Sequence, residues 1–185
     1  MIQVRKARPA DCPGIARVQV DSYRTAYVGL FPGPFLAQFT YEEQALDWET
    51  WLAANTDDLL LVSESDNQVI GYVLARARPD IYPGYEAEIL AMHVKLAHQE
   101  RGAGKALLRA AIEQLQERGC HSVMLWTLKG NPVRQWYERL DGKVLGEKSY
   151  QIDDWDIVEI AYGWETIATL WPGNRSLPAN EPNSD

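Results

Sequence analysis

Residues 98–108 read HQERGAGKALL and join an apolar run at 87–94 (AEILAMHV) to an amphipathic stretch at 102–118. The run has the length and burial signature of a strand. The stretch carries Leu108, Ala111, Ile112 and Leu115 at helical spacing before Gly119 stops it. A strand that turns through two glycines into a helix presents backbone N–H groups at the helix N-terminus, where the dipole favours an anion such as phosphate. Two phosphate-binding patterns fail here at specific positions. A P-loop needs Gly where Gln99 stands and Ser or Thr where Ala106 stands, and the dinucleotide fingerprint needs Gly where Leu107 stands.

The flanking sequence places this unit in a mixed α/β chain. Residues 2–7 alternate as a strand, and Pro9, Asp11 and Pro13 open a helix carrying Ile15, Val18 and Ser22. Residues 28–34 (VGLFPGP) are turn-rich, and helical periodicity returns over 41–54. LLLVSES and VIGYVLARA form a hairpin about Asp66 and Asn67, while 79–85 (PDIYPGY) read as an irregular loop. A strand at 122–128, a short helix at 132–140 with Pro132 first, and strands at 143–151 and 156–162 complete the order; Trp155, Asp153, Asp154 and Asp156 read as a hairpin turn. At 185 residues the chain suits one domain, expected over 1–171, with a flexible Pro-, Asn- and Ser-rich tail at 172–185.

Charge narrows the partners. A net charge of −8 argues against a general nucleic-acid binder, which neutralises phosphates with surplus Lys and Arg. Residues 95–139, however, hold eight basic and four acidic side chains, a local +4 around the glycine loop. Arg101 and Lys105 are the cations best placed to meet an anion, whereas Arg109 and Arg118 read as solvated helix charges. No apolar run approaches the ~20 residues of a membrane span. The N-terminus has no apolar stretch of signal-peptide type, so a cytoplasmic protein is expected. Cys12 and Cys120 form neither a disulfide framework nor a zinc spacing.

The pattern Gln99-x-x-Gly102-x-Gly104 after a strand ending in Val94 resembles the acetyl-CoA pyrophosphate loop of the GNAT acyltransferase superfamily. Glu88-Ile-Leu-Ala-Met-His-Val94 resembles that family's fourth strand. Asn131-Pro-Val-Arg134-Gln-Trp136-Tyr137-Glu138, followed by Gly142, resembles its second cofactor motif. Ser22-Tyr23-Arg24-x-x-Tyr27-x-Gly29 is similar to a helix-loop segment of small bacterial members with unassigned substrates. The resemblance implies a GNAT fold with a mixed, mostly antiparallel sheet of about seven strands, splayed at the fourth. It implies acetyl-CoA as donor, bound by Met92, His93, Val94, Gln99, Glu100, Arg101, Gly102, Ala103, Gly104, Lys105, Asn131, Arg134 and Tyr137.

Moving an acetyl group from a thioester to an amine requires a group that takes the ammonium proton, since an alkyl ammonium has a pKa near ~10.4 in water. Glu88 stands where the resemblance places a base, with Glu86 expected on the same face as its rival; an edge-strand surface carboxylate explains the same letter. His93 alternates away from Glu88 in a regular strand, but the family's fourth strand usually bulges near that point, which leaves its direction open. Tyr137 matches the tyrosine that serves as general acid for the thiolate, although an aromatic pair on a short helix also suits a core. Asn131 can cap the following helix and touch the cofactor together. Tyr23, Tyr27, Tyr82 and Tyr85 with Asp80, Glu86 and Glu88 suggest an aromatic and acidic mouth for a cationic acceptor, a small-molecule amine or a peptide. A non-catalytic CoA-binding sensor and a protein N-terminal or lysine acetyltransferase are the alternatives. No metal is expected, and monomer and homodimer both fit.

Overall fold

The computed structural model describes residues 1–54 and 57–170, so the expected tail at 172–185 lies outside the described residues. Seven strands form one sheet in the order β1-β2-β3-β4-β5-β7-β6. They are β1 (Gln3–Lys6), β2 (Leu59–Ser65), β3 (Gln68–Tyr82), β4 (Tyr85–Val94), β5 (Val123–Leu128), β6 (Lys143–Ile152) and β7 (Trp155–Trp164). Every neighbouring pair is antiparallel except β4 with β5. The helices are α1 (Cys12–Ala26), α2 (Gly33–Ala37), α3 (Tyr41–Ala54), α4 (Ala103–Glu117) and α5 (Arg134–Arg139).

Both faces of the sheet centre are covered, which explains the unbroken apolar run at the start of β2. Leu59 and Leu61 pack with Val73, Ala75, Ala87 and Ile89 against Leu107, Leu108, Ala111, Ile112 and Leu115 of α4. Leu60 and Val62 point the other way, joining Tyr72 and Leu74 against Ile15, Ala16 and Val18 of α1 and Trp48 of α3. Trp48 keeps its indole N–H satisfied by donating to Gln19 Oε1 at 2.6 Å. At the sheet edge, Arg5 donates to Asp11 at 2.7 and 2.8 Å and also pairs with Glu64, binding β1, the start of α1 and β2 together.

Three expectations need correction. Residues 79–85 are not an irregular loop, because β3 runs to Tyr82 and the chain reverses at Pro83-Gly84, with Gly84 at φ 83°. Pro79 does not stop the strand because the ladder is already out of step there: the register shifts between Ala77 and Tyr82. Helix α5 starts at Arg134, with Asn131, Pro132 and Val133 forming the preceding turn. Trp155 opens β7 and leaves Asp153 and Asp154 as the turn. The five-residue α2 was too short for periodicity to reveal.

Candidate active site

The site forms where the sheet divides. Strands β4 and β5 pair only at Glu88 with Met124 and Ile89 with Leu125. Beyond this point β4 continues with β3 as far as Val94 and β5 continues with β7 as far as Leu128, leaving a seam between them among the described residues. Lys95 N–H donates to Ile70 O at 2.9 Å. That bond makes His93 and Tyr72 a hydrogen-bonded pair and turns the N–H and C=O groups of Met92 and Val94 into the seam. The backbone of His93, expected to face a ligand, instead faces β3. Gln99 closes the corner by donating from Nε2 to Val94 O at 3.1 Å.

A bulge decides which side chains meet. Ala75 pairs with Ile89 and Leu74 with Ala91, so Leu90 has no partner and the alternation of β4 resets there. Glu88, opposite Arg76, and His93, opposite Tyr72, therefore share the face that carries Leu74 and Tyr72. Met92 and Val94 pack on the α4 face. His93 is enclosed by Tyr23, Tyr27 and Tyr72, with centroid separations of 5.7, 5.9 and 5.4 Å. Desolvation holds its pKa down at about 4, so the imidazole is neutral at neutral pH.

Burial raises the Glu88 carboxyl above its usual value. Lys148, Arg76 and Arg78 oppose that shift, while Glu159 adds to it. Lys148 lies 4.1 Å from the Trp126 ring centroid and pairs with Glu159 at 2.9 Å. Arg76 is bound to Asp58 at 2.6 Å. Lys148 and Arg76 are each paired with a carboxylate, so the charges around Glu88 are mixed and not only the acids that the sequence suggested. Glu86 does not join Glu88: its carboxylate accepts the His121 backbone N–H. The register shift that brings Tyr85 onto Met124 and Ala161 turns Glu86 toward the start of β5. Tyr82 packs on Tyr85 and Trp126 and donates to Leu145 O at 3.1 Å, so it covers β5 and β7 away from the tyrosines of α1. The side chain of Asp80 lies outside the described part of the chain.

Tyr137 is buried among Trp136, Tyr162 and Trp164. Desolvation pushes its phenol well above the usual tyrosine range, so it holds its proton at neutral pH. Asn131 caps the turn before α5, Oδ1 accepting from Val133 N–H at 3.1 Å. Arg134 is engaged, donating to Tyr162 Oη at 3.0 Å and Lys129 O at 2.8 Å.

In the glycine loop, Glu100 and Gly102 have φ of 58° and 90°. A Cβ at Gly102 would meet nothing within 4 Å, so backbone conformation and not space calls for glycine there. Gly104 differs: a Cβ would stand 3.8 Å from Val94 Cγ2, an ordinary contact that the fold tolerates. Arg101 and Lys105 are exposed and have no ion pair among the described residues. Elsewhere in the basic segment Arg109 pairs with Glu113, Lys129 with Glu147 and Arg134 with Glu138.

A sheet splayed beside a parallel neighbour, with a glycine loop leading from the splayed strand into a helix, defines an acyltransferase-type fold. The family model described as Acetyltransferase (GNAT) family matches residues 20–155, and the chain belongs to that family. Among relatives, it is 27% identical over 170 residues to the uncharacterized N-acetyltransferase YuaI of Bacillus subtilis (strain 168), covering 92% of this chain and 96% of that protein. It is 23% identical over 136 residues to the spermidine N(1)-acetyltransferase of Thermoplasma acidophilum, covering 71% and 81%. The fold matches the crystal structure of the PaiA N-acetyltransferase of Thermoplasma acidophilum in complex with coenzyme A, with a TM-score of 0.63 at 22% identity over 86% of this chain and 98% of that one.

Proposed function

We propose that this protein is an N-acetyltransferase that moves an acetyl group from acetyl-CoA to a primary amine. The observation that carries the reading is the seam, where two outward backbone amides, a glycine loop and a helix start lie beside a face holding a raised carboxyl. Gly104 supports the donor: neither its conformation nor its packing requires glycine, which leaves close approach of a ligand to the backbone as the reason for it. Arg101 and Lys105 would meet phosphate charge at the start of α4. Buried, unpaired Cys12 and Cys120 fit a reducing compartment such as the cytoplasm.

Acetyl-CoA, when bound, supplies an acetyl group activated as a thioester. Met92 and Val94 N–H groups orient and polarise what lies in the seam. Glu88 takes a proton from the acceptor ammonium, directly or through water, and its raised pKa brings it nearer the working pH. Tyr137 holds its proton at Oη, ready for the leaving sulfur. The proton given to sulfur balances one lost by the nitrogen, and the other passes through Glu88 to solvent.

Thiol release from acetyl-CoA across a panel of amines tests the reading, and release that does not depend on any amine overturns it. Tyr137→Phe is expected to lower kcat by about a hundredfold, the low end for general acid catalysis. Calorimetric affinity for CoA should stay unchanged in that variant. A wild-type rate would remove Tyr137 from the mechanism.

A further inference from the structure

Five aromatic residues stand four apart along the chain: Tyr23, Tyr27, Phe31, Phe35 and Phe39. Had α1 run on, sixteen residues would carry Phe39 about 24 Å from Tyr23. Instead the helix ends at Ala26, Leu30 and Phe31 N–H groups both donate to Tyr27 O, and Gly29 adopts φ 78°. The chain doubles back through α2, and the rings close into a cycle. Successive centroids are 5.1, 5.6, 5.3 and 5.3 Å apart, and Phe39 returns to 4.8 Å from Tyr23. All three phenylalanines of the chain are in it. None of the five is buried in the core, and each is partly open to solvent.

The cycle abuts His93. Tyr23 and Tyr27 both pack on its ring, and His93 shares a face of β4 with Glu88. The five residues of the wall carry no charge, so none of them can pair with a second ammonium. A second ammonium on an acceptor would find ring faces there but no carboxylate to replace its hydration, whereas an uncharged planar body would find ring edges and faces to pack against.

We propose that the acceptor is a primary monoamine carried on a flat apolar body, an arylalkylamine, whose ring lies against Tyr23, Tyr27, Phe31, Phe35 and Phe39 while its amine meets Glu88. This rests on the N-acetyltransferase reading above. It makes polyamines poor acceptors despite the similarity to a spermidine acetyltransferase.

The test compares 2-phenylethylamine, n-butylamine and spermidine by acetyl-CoA-dependent thiol release. It adds calorimetric binding of 2-phenylethylamine to the CoA-loaded protein. Phenylethylamine should exceed both other amines in kcat/KM by about tenfold, the value of one well-placed aromatic contact. Phe35→Leu, which keeps an apolar side chain and removes the ring, and Phe39→Ala should each lower the phenylethylamine-to-butylamine ratio and weaken calorimetric binding. A ratio is insensitive to a fraction of misfolded protein, so either variant decides the matter. Spermidine or butylamine matching phenylethylamine, or ratios unmoved in both variants, overturns the inference and leaves the acetyltransferase reading standing. No release with any amine overturns both.

Discussion

The proposed donor side of the seam presents backbone: the amides of Met92 and Val94 and the turn at residues 99–104 that opens α4. The proposed acceptor side presents side chains: Glu88, His93 and the aromatic cycle of residues 23–39. The two sides meet along one strand, where the Leu90 bulge brings Glu88 and His93 onto one face. A backbone site is fixed by conformation, so its residue types admit few substitutes, and Gly102 at φ 90° is the clearest case. A side-chain wall can be written in many ways, because Phe, Tyr and Leu all supply apolar surface. The difference predicts that the donor side breaks through strain and the acceptor side through chemistry and selectivity.

Glu88→Gln is expected to reduce kcat/KM by about a hundredfold, with donor affinity intact. Because desolvation raises the Glu88 pKa, its basic form is lost as pH falls through a value above the ordinary carboxylate range. The acidic limb of the pH–rate profile should therefore lie at unusually high pH and disappear in the variant. His93, held at about 4, would give only a limb near that pH. Gly102→Val should act on the other side alone. Forcing a β-branched residue to positive φ costs about 1–2 kcal/mol, which is roughly tenfold in donor KM with a smaller change in kcat. If acceptor selectivity changes as well, the two sides are not separable.

The same difference explains what could be read from the letters. The loop at 99–104 was legible because anion binding at a helix start demands glycine at set spacings. The helix α4 and the double-faced β2 were legible because burial on known faces leaves a period or an unbroken apolar run. Long-range placement was not. Glu86 and Glu88 look equivalent two residues apart, yet a register shift near Tyr82 ties Glu86 to His121. The aromatic cycle left a trace, five rings at four-residue spacing, but turn residues between Val28 and Pro34 broke the helix that such spacing normally signals. Acid-rich sequence around Glu88 suggested an acidic mouth, because no local rule reveals that β6 delivers Lys148 and β3 delivers Arg76.

The finest test concerns that imported charge. Lys148 lowers the Glu88 pKa and is also the ion-pair partner of Glu159, which raises it. Lys148→Met removes one lowering charge and frees the opposing carboxylate, so both consequences push Glu88 upward and move the acidic limb of kcat/KM to higher pH. Glu159→Gln removes a raising charge and should move the limb the opposite way. Lys148 is about half exposed, with its side chain at 47%, so salt screens its share and both shifts should shrink as ionic strength rises. Donor affinity should not follow either substitution, because neither charge belongs to the loop at 99–104. Limbs that move in the same direction in both variants would show that these charges act by reshaping the site and not by their sign.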